Sequence, residues 1–167
     1  MLVPSSAQAG KPPVPAVNES GSPVFDQLRN EAVRKKIPLV IYITGSAWCG
    51  YCNIFTGKHI KEPSFHKASG RKFVFWLVDT GQEPGRSPGS FKFKFIPEEA
   101  AKVVGCLDSW APYTVFGPPA VIILDPVSGK VIKKMEGLQD VEKEGKPLAG
   151  IIEDCWKEFG SGQKKSS

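Results

Sequence analysis

One stretch constrains this chain more than any other. Leu39-Val40-Ile41-Tyr42-Ile43-Thr44 runs through Gly45-Ser46-Ala47-Trp48 into Cys49-Gly50-Tyr51-Cys52. The first six residues are β-branched or apolar, with no alternation of polar and apolar positions. That is the pattern of a strand covered on both faces. Such a strand needs helices on either side of its sheet. Gly45-Ser46 turns the chain, and a helix is expected from about Gly50 to Lys61. Glu62-Pro63 breaks it, and Pro63 opens one more turn through His66. The cysteine pair is therefore expected where a buried strand hands over to a helix.

The rest of the chain fits the same plan. Residues 1–22 carry Pro4, Pro12, Pro13 and Pro15 among small and polar residues, and are expected to stay disordered. Ser22-Pro23 reads as N-cap and first helical position, and Val24, Leu28, Ala32 and Val33 read as the inward face up to Pro38. Lys72 to Asp79 is a second strand. Residues 80–97 form a long Gly- and Pro-rich loop, and Pro97-Glu98-Glu99 has the chemistry of a helix start ending by Gly105. Pro119 to Asp125 is a third strand, Asp125 to Gly129 a hairpin loop, and Lys130 to Glu136 the returning strand. From Pro147, Leu148, Ile151, Ile152, Cys155, Trp156 and Phe159 trace a helical stripe. A polar, flexible tail follows from Gly160. The order α, β, α, β, α, β, β, α predicts an α/β fold: one mixed sheet with helices on both faces, in a domain spanning 23–159 between two tails.

The cysteine pair carries chemistry in that setting. Helix N-termini leave N–H groups unpaired, and their partial positive charge favours a thiolate on the first cysteine. The thiolate is the attacking species in disulfide exchange. Two intervening residues bring Cys52 within reach of Cys49, so Cys49 is the expected nucleophile and Cys52 the resolving thiol. Half of a metal site and two core cysteines are the competing readings, and the strand-to-helix placement favours redox chemistry over both. One C-x-x-C with no second pair does not complete a zinc site, and His59 and His66 are read as surface residues, so no metal is assigned. Cys155 lies on the apolar stripe and reads as a small hydrophobe. Cys106 is left open between pairing with Cys155 and a regulatory thiol. Trp110, Tyr113 and Phe116 are read equally well as groove or core.

The 167 residues suit one domain with tails, and 41% apolar content supports a core. The net charge of +5 is spread over pairs such as Lys35-Lys36 and Lys133-Lys134, with no motif for nucleic acid. No apolar run is long enough for a transmembrane helix. Ala7-Gln8-Ala9 resembles the end of a signal cleavage site, which makes a periplasmic or secreted location the expectation and a cytoplasmic one the alternative.

Gly45 to Cys52 resembles the active-site segment of thioredoxin-fold oxidoreductases. Val115-Phe116-Gly117-Pro118-Pro119-Ala120 and the strand after it resemble that superfamily's cis-proline loop. Gly129-Lys130-Val131 and Glu136-Gly137 resemble its later hairpin. The resemblance covers about residues 24–159 and points to the bacterial extracytoplasmic branch. It implies a protein disulfide reductase or isomerase with no cofactor, acting on protein thiols and disulfides and served by a separate redox partner, most simply as a monomer. It further implies that Pro119 is a cis-proline facing the cysteines, and that Trp48, Gly50, Tyr51, Pro118 and Pro119 contact substrate. Two departures stand out. Pro118 has no N–H to give an extended substrate. Positions 42 and 43, where many relatives bury an acid, hold Tyr42 and Ile43, with Asp79 as an acid from elsewhere. A non-catalytic binding module or metal chaperone using the same cysteines is the alternative.

Overall fold

A computed structural model of the chain describes residues 23–79 and 118–164. The expectations for the N-terminal segment, the 80–97 loop, the helix at Pro97, Cys106 and the aromatic segment from Trp110 to Phe116 lie outside the described residues.

Helix α1 covers Pro23–Lys35. Phe25, Leu28, Arg29 and Ala32, at helical spacing, turn inward. This corrects the expected face by one position: Val24 is exposed and Phe25 takes its place. A phenyl ring buries more apolar area than an isopropyl group, and here it packs 6.0 Å from the Trp76 ring. The helix closes on a Schellman motif. Lys36 adopts φ 56, Lys36 N–H donates to Val33 O and Ile37 N–H to Ala32 O. Ile37 then packs on the core beside Ala32.

The sheet has the order β2-β1-β3-β4, built from β1 (Leu39–Thr44), β2 (Val74–Asp79), β3 (Ala120–Leu124) and β4 (Val131–Glu136). β1 pairs parallel with β2 and antiparallel with β3. β3 and β4 form the expected hairpin. Leu124 faces Val131 and Ile123 faces Lys133, so Ile132 is the extra residue of a bulge. The hairpin loop is closed from within: the Asp125 carboxylate accepts from the N–H groups of Val127 and Ser128, and Gly129 takes φ 75.

All six residues of β1 are buried, as the unbroken apolar run requires. Their alternation divides the core. Leu39, Ile41 and Ile43 face α1 with Ile122 and Leu124. Val40 and Tyr42 face the opposite side with Val121, Ile123 and Phe55.

On that second side lie α2 (Gly50–Phe55), its continuation as a π-helical turn (Thr56–Ile60), α3 (Pro63–Ala68), α4 (Gly137–Glu142) and α5 (Leu148–Lys164). The fold class is the expected one, with two differences in detail. The short α4 was not foreseen: six residues give too few turns for periodicity to show. Gly137 enters it at φ 74, and Asp140 caps it by accepting from Glu136 N–H at 2.8 Å. That bond holds the Asp140 carboxyl below its usual range. The last helix does not stop before Gly160 but runs through Gly160-Ser161-Gly162 to Lys164, with Ser161 Oγ donating to Lys157 O at 2.9 Å.

Candidate active site

β1 ends at Thr44, and the chain turns on Gly45. Trp48 and Cys49 both donate their N–H to Gly45 O, at 3.1 and 2.8 Å. A methyl group at position 45 would sit 2.3 to 2.6 Å from indole atoms of Trp48. Only glycine lets the ring lie against the turn. Asp79, at the end of the neighbouring β2, accepts from Ser46 N–H at 3.1 Å and from the Ser46 hydroxyl. Asp79, the acid from elsewhere in the sequence, thus holds the turn that leads to the cysteines.

Cys49 is the N-cap of α2, with extended backbone angles (φ −100, ψ 102). Cys49 and Cys52 are joined by a disulfide, their Cα atoms 5.2 Å apart. Cys52 N–H points at Cys49 Sγ at 3.1 Å. The sulfur thus occupies the place that a Ser or Asp oxygen fills at an ordinary N-cap. Cys49 retains 7% exposure and Cys52 none. The two residues are therefore unequal in access. Gly50 and Tyr51 lie on the open side of the first turn, and Tyr51 is 73% exposed. Ile54, one turn on, is 47% exposed and adds an apolar side chain that sequence reasoning had not singled out.

The peptide bond between Pro118 and Pro119 is cis. Pro118 O lies 3.7 Å from Cys49 Sγ. Pro119 is buried, and its carbonyl accepts from Gly137 N–H at 2.8 Å, tying the loop to the start of α4. The fold therefore brings the loop before β3 against the cysteine pair, 69 residues away in sequence. Trp48, Cys49, Gly50, Tyr51 and Cys52 are contiguous in the chain, and Pro118 meets them at Cys49.

Beneath the pair lies a cluster of hydroxyls. Tyr42 is fully buried, its ring stacked 5.2 Å from Phe55. Its phenol oxygen lies 2.9 Å from Thr56 Oγ1, 3.3 Å from Thr44 Oγ1 and 3.3 Å from Cys52 O. Burial pushes the phenol pKa up, the hydroxyls of Thr44 and Thr56 oppose the shift, and Asp79 adds to it. Position 42, where many relatives bury an acid, thus holds a hydrogen-bonded phenol instead. The hydroxyl partners two and fourteen residues on carried no local signal.

The remaining candidates separate. His66 is exposed, as expected. His59 is not a plain surface residue: its ring is half-buried, 4.9 Å from Phe55, and its Nε2 is buried without a partner among the described residues. Among the described residues no three His, Cys, Asp or Glu side chains converge as metal ligands would. Cys155 is a free thiol, half-buried on α5 against the second core, and burial raises its pKa. Among the described residues no helix is long and apolar enough to cross a membrane.

No protein-family model matches this chain, and no curated protein matches its sequence. Solved structures do. A protein described as DsbH oxidoreductase superposes with a TM-score of 0.52, covering 92% of this chain and 94% of its own, at 19% identity. The C-terminal domain of DsbD from Neisseria meningitidis in its oxidised form gives a TM-score of 0.38 and 19% identity over 69% of this chain and 78% of its own. That second score is too low to carry weight. The first establishes the fold as thioredoxin-like, in agreement with the mixed four-stranded sheet.

Proposed function

We propose that the chain is a thiol–disulfide oxidoreductase that reduces or isomerises protein disulfides through Cys49 and Cys52. The observation that carries this is the disulfide at the first turn of α2, with the Cys52 N–H directed at Cys49 Sγ. In the reduced protein that N–H and the helix dipole stabilise a Cys49 thiolate.

The Cys49 thiolate attacks one sulfur of a substrate disulfide. A mixed disulfide forms, and the other substrate sulfur leaves as a thiolate and takes a proton from solvent. Cys52 loses its proton and attacks Cys49 Sγ, the mixed disulfide breaks, and the second substrate thiolate is released. Two electrons have passed to the substrate, and Cys49–Cys52 is again a disulfide. An external dithiol must reduce it for the next cycle. In isomerisation the released substrate thiolate instead attacks another disulfide of the same substrate, the thiolate freed there attacks the substrate sulfur of the mixed disulfide, and Cys49 leaves as a thiolate with no net oxidation.

Trp48, Gly50, Tyr51 and the Pro118 carbonyl form the docking rim, with Pro119 fixing the loop. Pro118 accepts but cannot donate, so an extended substrate gains one main-chain hydrogen bond there rather than two. No cofactor enters the cycle. The resemblance to extracytoplasmic oxidoreductases supports a periplasmic or secreted location, which fractionation of the producing cells would check.

The test is insulin reduction with dithiothreitol as the electron source. Wild-type protein accelerates it and Cys49→Ser does not. Cys52→Ala accumulates mixed disulfides with protein substrates, visible on non-reducing gels and lost on reduction. Absence of both turnover and trapped species would sink the proposal.

A further inference from the structure

We propose that Tyr42, working with Thr44 and Thr56, is the positioning group of the cysteine pair, holding the Cys52 main chain so that its N–H stays on Cys49 Sγ. This rests on the oxidoreductase reading and deepens it.

The geometry is specific to one residue. Cys52 offers its carbonyl to Tyr42 Oη at 3.3 Å and its N–H to Cys49 Sγ at 3.1 Å. The same residue is gripped from below by a buried phenol and faces the reactive sulfur above. The phenol is held in the core, its ring fully buried and stacked on Phe55 at 5.2 Å and Phe75 at 6.4 Å. Thr44 is 2% exposed, and Thr56 is half-buried, so the hydroxyls run from the core towards the surface. A phenol has one proton to donate. Thr56 Oγ1 at 2.9 Å can donate its own to Tyr42, which frees the phenol proton for Thr44 or the Cys52 carbonyl.

A neutral group at this place has an electrostatic consequence. A carboxylate beneath the pair would repel the Cys49 thiolate and raise its pKa. A buried phenol stays protonated across the range in which thiols titrate, so Tyr42 adds no such charge. Among the described residues the acid acting on Tyr42 is Asp79 on β2, whose carboxylate is engaged by Ser46. Tyr42 therefore acts on Cys49 through the Cys52 peptide N–H, a positioning role, and takes no proton itself.

The test reads Cys49 directly, by the rate of iodoacetamide alkylation of the reduced protein as a function of pH. Tyr42→Phe keeps the ring and removes the hydroxyl. Its pH midpoint should rise by roughly half a unit and its rate at pH 7 fall about threefold, in keeping with the loss of one neutral hydrogen bond. Thr56→Val should move the midpoint the same way by less, and Thr56→Ser, which keeps the hydroxyl, should restore it. If Tyr42→Phe does not fold, the half-buried Thr56 pair gives the same two outcomes. Melting temperatures that fall while every alkylation profile stays on the wild-type curve would mean a structural role only and overturn the proposal. Alkylation needs no protein substrate, so an altered profile with no insulin reduction would break the oxidoreductase reading alone.

Discussion

The two faces of β1 are one residue apart in sequence and differ in kind. Leu39, Ile41 and Ile43 point at α1 into a cluster of apolar side chains. Val40, Tyr42 and Thr44 alternate with them, and this second register holds the phenol and hydroxyl that reach under Cys52. The first face is stabilised mainly by apolar area, with Arg29 hydrogen-bonded to the hairpin loop at its edge, so volume-conserving apolar exchanges are tolerated best there. The second must satisfy hydrogen bonds as well, because a buried hydroxyl without a partner is costly. A single strand thus separates a face that secures the fold from one that also shapes the chemistry. Substitutions on the first should change stability and leave the cysteines alone.

Ile41→Ala is the strongest challenge to that division. It removes a fully buried side chain at the sheet centre, paired across to Ile122 and Trp76, and should cost about 2–5 kcal/mol. Urea unfolding should show the loss while Cys49 alkylation keeps its pH midpoint under folding conditions. A shifted midpoint would mean that the faces are coupled. Arg29→Leu comes next. Arg29 Nε and Nη2 donate to Pro126 O and Val127 O at 2.7 and 3.0 Å, pinning α1 to the hairpin loop. Losing these charged donors should cost about 1.5–3 kcal/mol, again read by urea unfolding and again without effect on the thiols.

Gly45→Ala inverts the pattern. The added methyl meets the Trp48 indole, which is only half-buried and can swing outward. Unfolding free energy should fall by only about 1 kcal/mol, since the displaced ring is not locked in the core. Trp48 borders Cys49, so insulin reduction should fall by a larger factor than that stability loss explains. Equal losses in both measurements would assign Gly45 to the fold rather than to the site.

The division was only partly legible in the sequence. The buried run of β1, the break at Pro63, the hairpin at Asp125 to Gly129 and the handover to Cys49 all follow from local chemistry, and each stands where that chemistry put it. The resemblance brought Pro119 to the cysteines, and its cis bond fits that expectation. What was missed depends on contacts between distant segments or on very short elements. Nothing local to Thr56 announces its bond to Tyr42, and nothing at Gly45 announces the indole above it. α4 is too short for periodicity, and the inward face of α1 was set by which side chain, Val24 or Phe25, found a partner in Trp76.

His59 gives the finest cut between the two faces, because it places a titratable group on the α2 side. It lies in the π-helical turn, its ring against Phe55 and its Nε2 buried without a partner among the described residues. Desolvation lowers its pKa, Lys58 adds to the shift, and Glu142 and Glu62 oppose it. The sign follows from linkage. With the folded-state pKa below the unfolded value of about 6.5, the unfolded chain binds the proton more readily. Stability is therefore full above that pH and declines as the pH falls towards the folded-state pKa. His59→Gln removes the titration, so its urea midpoint should change less than that of the wild type between pH 7.5 and pH 5.5. Parallel curves would mean that the ring charges without penalty and that the α2 side is as indifferent to protons as the α1 side.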